Sequence, residues 1–156
     1  MIYVNSIREK VEKRKSDYKL SNEVVTINRN RFAKKYIKEL VKCESALERA
    51  KCSQELITYL CDIFNICDVK VIVKNVSRPK KGKVQVYGYY QYCDNGNIVI
   101  YNLTATQKKI VGAKSFIDTL IHEFVHHYDR CKLGIEYEYH TLGFYKRVND
   151  LRIKLS

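Results

Sequence analysis

A chain of 156 residues with 46% hydrophobic and 29% charged residues is long enough to bury one core and too short for two. No apolar run reaches the ~18 residues of a membrane helix, and Arg8 interrupts the N-terminus before a signal-peptide core can form, so the expected protein is intracellular, neither membrane-spanning nor secreted. The formal net charge of +12 rules out an overall acidic surface and favours DNA or another polyanion as a partner, through counterion release.

Residues 1–30 read as a basic N-terminal extension, and residues 31–156 as a single domain. In the extension Val4, Ile7, Val11 and Tyr18 recur at helical spacing, predicting an amphipathic helix over residues 2–19. From Arg31 to Phe64 an apolar stripe including Ile37, Leu40, Leu47, Leu56 and Leu60 predicts one long helix or two shorter ones. Composition then shifts to β-branched and aromatic residues, giving three strand candidates at Asp68–Asn75, Lys83–Asp94 and Asn97–Leu103. Asn95-Gly96 makes the last two antiparallel neighbours, and Gly88 marks a bulge or a close backbone approach. The stretch Lys74–Lys83 holds five cations and the only proline, and reads as a basic, exposed turn.

Thr104 with Gln107, and Ser115 with Asp118, supply two possible helix starts. Phe116, Leu120, Ile121, Phe124 and Tyr128 then follow the 3.6-residue period of a helix, which a loop at Gly134 ends. Phe144, Val148 and Leu151 predict a closing helix. The sum is an α+β domain with N-terminal helices, a three-stranded and mostly antiparallel sheet, and two C-terminal helices.

The six cysteines have no C-x-x-C spacing and read as reduced core residues. Cys43 and Cys52 lie nine apart, on opposite sides of one continuous helix, which argues against a shared thiolate site.

The chemistry concentrates in "TLIHEFVHHYD", Thr119–Asp129. His122 and His126 are one helical turn apart, so two imidazoles can reach one ion at the ~2.0 to 2.1 Å zinc prefers. Glu123 is offset by ~100° and can act as general base on a water activated by that zinc, since the ion lowers the pKa of bound water to about 7. A chance H-E-x-x-H is expected in on the order of one chain in a few hundred.

A catalytic zinc takes three protein ligands, and His140 is the first candidate for the third. Glu136, Glu138 and Asp129 compete with it. Asp129 also reads as a partner to a ligand imidazole, and His127 as a non-ligand able to donate to an oxyanion. Tyr137 and Tyr139 read as packing.

These residues resemble the SprT-like family of zincin metallopeptidases, which includes the Spartan and Wss-type proteases acting on DNA–protein crosslinks. "TLIHEFVHHYD" resembles its active-site helix, and "HTLGFY", His140–Tyr145, its third ligand followed by glycine and phenylalanine. The likeness covers about residues 55–154 and implies one Zn2+ held by His122, His126 and His140, with Glu123 as catalytic base. It also implies a protein or peptide substrate lying along a sheet edge, where "VYGYYQY" offers Gly88, Tyr89 and Tyr90 as substrate-binding residues. The zinc ribbon carried by some members is not found. A rival reading from another class is a catalytically silent, nucleic-acid-associated binding protein with a structural zinc.

Overall fold

The computed structural model describes residues 2–28 and 34–156, with side chains from residue 6. The expected boundary at 30/31 and the expected helix start at Arg31 therefore lie outside the described residues. The elements are α1 (Ile2–Glu23), α2 (Lys35–Lys42), α3 (Ala46–Phe64), β1 (Lys70–Ser77), β2 (Lys80–Lys81), β3 (Val84–Gln85), β4 (Gly88–Gln91), β5 (Asn97–Leu103), α4 (Ala113–Leu133) and α5 (Leu142–Leu155). Among the described residues no helix is long and apolar enough to cross a membrane.

The stripe from residue 31 resolves into two helices because the chain turns extended at Cys43 and restarts at a capping box. Ser45 Oγ accepts from the Glu48 amide, and the Glu48 carboxylate accepts from Ser45 N. This break overturns the single-helix argument for Cys43 and Cys52, whose Sγ atoms stand 3.2 Å apart across it. The expected helix start at Thr104 is instead a turn, and Ser115 caps nothing: α4 begins after Gly112. It ends where Gly134, at φ 71°, takes the left-handed conformation after Arg130 and Lys132 in the last turn.

Among the described residues five strands form where three were expected, because the long candidate Lys83–Asp94 breaks into β3 and β4 while β2 pairs with β3 in a short antiparallel ribbon. The main sheet has order β1-β5-β4. β4 runs antiparallel to β5, as the Asn95-Gly96 signal implies, but β1 and β5 are parallel, so the three-stranded sheet is mixed. β5 is central and its Ile98, Val99, Ile100 and Asn102 are buried. The core joins Ile98 and Ile100 to Leu56, Leu60 and Phe64 of α3, Phe116, Leu120 and Phe124 of α4, and Phe144, Leu151 and Leu155 of α5. Each such side chain contributes about 1.5–3 kcal/mol on burial.

α1 is a helix as expected but buries the opposite kind of face. Ile7, Val11 and Tyr18 are exposed, whereas Asp17 and Ser21 are buried. The reason is polar docking: Asp17 accepts from the Glu136 amide at 3.0 Å, and Ser21 Oγ meets Thr141 Oγ1 at 2.8 Å. Gly143 permits this contact, since a Cβ there would stand 2.4 Å from Ser21 O. The first helix thus buttresses the segment that carries His140.

The basic turn is only partly solvated. Lys80, Lys81 and Lys83 are exposed, but Arg78 is buried with its guanidinium 3.8 Å above the Tyr87 ring, and Lys74 lies over Tyr89 and Tyr101.

Candidate metal centre

α4 presents His122 and His126 one turn apart, and α5 delivers the third imidazole from just before its first turn, where Thr141 Oγ1 accepts from Phe144 N at 3.1 Å. His140 Nε2 lies 3.1 Å from His122 Nε2 and 3.0 Å from His126 Nε2. Zinc ligands at ~2.05 Å in a tetrahedron stand about 3.3 Å apart, so the three nitrogens already occupy nearly the corners of such a site. Burial pushes His122 down to about 4, with help from His140, and lowers His126 and His140 as well. Three neutral rings aiming lone pairs at one point repel one another unless a cation lies between them, and His122, His126 and His140 form a grouping able to hold a metal ion.

Phe144 forms the floor. Its fully buried ring stacks on His126 at 4.4 Å between centroids, and stands 5.0 Å from His122 and 5.2 Å from His140. It packs against all three imidazoles and restricts their rotation. Phe144 is legible in the sequence as a residue of the closing helix and of the His140–Tyr145 likeness, but its place beneath the imidazoles depends on how α5 packs against α4.

Glu123 is 6% exposed, one residue along from His122, in a cleft of about 790 Å³ that also contains all three histidines, Gly88 and Tyr89. Burial, reinforced by the nearby Glu138 charge and opposed by the Tyr90 backbone amide, pushes its carboxyl up to about 8. A cation at the imidazoles counters both upward influences and favours the carboxylate.

Of the competing ligands, only Glu138 stays beside the histidines. Glu138 shares a second metal-capable grouping with Glu123 and His126. Glu136 belongs to no such grouping among the described residues. Asp129 is not a partner of a ligand imidazole: Arg147 Nε donates to it at 2.9 Å and Nη2 to its other oxygen. His127 is also displaced from its expected place. It is fully buried, with Nδ1 3.0 Å from Tyr90 Oη and Nε2 2.7 Å from the Cys67 carbonyl, so it faces away from the cleft and supplies no oxyanion donor. Tyr137 packs on Arg14, and Tyr139 bonds the Arg14 carbonyl.

Of the substrate candidates, Gly88 and Tyr89 line the cleft, but the Tyr90 side chain is buried beneath the strand and accepts from Arg130. A Cβ on Gly88 would meet Val99 O at 2.7 Å and Thr119 Cγ2 at 2.9 Å, so this glycine is required by packing between β5 and α4. β4 is nevertheless an edge strand. Because Tyr101 N donates to Tyr87 O, the antiparallel alternation turns the backbone groups of Gly88 and Tyr90 away from β5. No family model, curated protein or solved structure matches this chain.

Proposed function

We propose that the protein is a zinc-dependent endopeptidase of the zincin type, similar to the SprT-like enzymes, acting on proteins bound to nucleic acid. The observation that carries this reading is the convergence of three imidazoles, with the Nε2 atoms of His122 and His126 each within 3.1 Å of His140 Nε2, beside a buried glutamate. Zinc held there would lower the pKa of its water to about 7 and polarise a peptide carbonyl. Glu123 takes the proton of the attacking water and returns it to the leaving amine. The outward backbone groups of Gly88, at the edge of β4, receive an extended substrate as an added strand, and Tyr89 flanks it. Lys80, Lys81 and Lys83 add the charge that draws the enzyme to a polyanion.

Glu123→Gln should retain the metal and lose proteolysis of casein, while His122→Ala should lose both. Undiminished cleavage by Glu123→Gln would end this mechanism.

One observation favours a second reading, that of a silent binding protein with a structural zinc. The Glu138 carboxylate is near enough to His126 to close the fourth position. Glu138→Ala separates the two, because opening a closed site would raise water access in a cobalt-substituted protein, whereas an already open site would not change.

A further inference from the structure

On the opposite side of α4 from the three histidines lies a second cluster of soft donors. Cys67, in the link between α3 and β1, places its Sγ 3.2 Å from Cys131 Sγ, near the end of α4. His127 stands one helical turn before Cys131, with Nδ1 3.7 Å from that sulfur. Donor atoms of the three residues all lie within 4.8 Å of one another. The His127 Nε2 faces a carbonyl, which can only accept, so Nε2 carries the proton and the Nδ1 lone pair is left facing Tyr90 Oη and Cys131. A carbonyl that fixes the tautomer in this way is the usual support of a metal-binding imidazole.

We propose that Cys67, His127 and Cys131 bind a second, thiophilic divalent cation, for which zinc is the natural ion. Two thiolates and a neutral imidazole suit zinc and exclude the hard cations. Binding breaks the hydrogen bond that Tyr90 Oη donates to His127 Nδ1, forms two sulfur–metal bonds and one nitrogen–metal bond, and releases two thiol protons to solvent. The exposed flank of Cys67 leaves the fourth position to water.

The distances favour a metal over a disulfide. Tetrahedral zinc thiolates stand about 3.8 Å apart, so the sulfurs open by about 0.6 Å, whereas a disulfide at ~2.05 Å requires them to close by about twice as much. Cys43 and Cys52 lie at the same 3.2 Å separation but belong to no three-donor grouping among the described residues, and so form no comparable site. The cation fastens the α3–β1 link to the back of the helix whose front carries His122 and His126. This inference does not depend on the peptidase reading.

The test is metal stoichiometry of the whole chain, purified with reductant and equilibrated with zinc, then with cobalt. Wild type should hold two equivalents, and the cobalt form should show a thiolate-to-metal charge-transfer band. Cys131→Ser and Cys67→Ser should each fall to one equivalent and lose the band. His122→Ala should also retain one, with the band intact, which isolates the new site even if the cysteine variants fold poorly. A single equivalent in wild type without the band would overturn the proposal, as would a reductant-purified chain two hydrogens lighter with Cys67 and Cys131 linked.

Discussion

Arg147 is the largest fully buried side chain, and its contacts predict a large, non-additive response to mutation. Its guanidinium grips both oxygens of Asp129 on α4 and donates to the carbonyls of Ser21 and Val24 at the end of α1, so one residue joins three helices. Asp129→Leu leaves the guanidinium without a counter-charge, and Arg147→Met leaves the carboxylate and both carbonyls unpartnered. Each should cost about 3–5 kcal/mol, lowering Tm by roughly 6–20 °C for a chain of this size. The double variant loses only the satisfaction of the two carbonyls, at about 1–3 kcal/mol each. Its total of ~2–6 kcal/mol centres on the cost of one single change rather than on the ~6–10 kcal/mol sum of both, a coupling energy of roughly 4 kcal/mol. Urea unfolding of all four proteins at one fixed zinc concentration supplies the cycle. Additive costs would show that the three helices are not tied through this pair.

Gly88→Val drives methyl groups into Val99 O and Thr119, and should destabilise by about 1–3 kcal/mol or more; an unchanged urea midpoint would contradict the packing account. In metal-free protein, the lowered pKa of His122 means that the unfolded chain, near 6.5, takes up its proton before the folded chain does, near 4. Glu123, raised to about 8, contributes in the opposite sense over this range, so the decline as pH falls from 6.5 towards 4 should be read in a Glu123→Gln background, where a flat profile would place these rings in water. Replacing Lys80, Lys81 and Lys83 together should reduce the log–log salt slope of DNA binding by about 2 to 3, and a slope equal to that of wild type would move the polyanion surface elsewhere.

Local spacing made part of this molecule legible. The i, i+4 histidines and the Asn95-Gly96 turn are short-range signals, and both lie where the sequence put them. His127-x-x-x-Cys131 has the same helical spacing and was passed over, because its second sulfur comes from Cys67, 64 residues away. The parallel pairing of β1 with β5 leaves no mark in either strand, since its register depends on how the chain between them crosses. Ser45-x-x-Glu48 is a local helix-start signal that divides the stripe and brings Cys43 and Cys52 together. The buried face of α1 was inverted because its partners, Glu136 and Thr141, lie some 120 residues downstream, and hydrogen bonds outweighed hydrophobic periodicity there.

That last arrangement has a consequence for synthesis on the ribosome. α1 emerges well ahead of the groups that receive it, which, with the third imidazole they carry, are translated about 120 residues later. At ~5–20 residues per second, several seconds must pass with the helix waiting and the triad incomplete. Whatever chemistry the finished centre performs, the nascent chain is spared it until α5 has swung into place.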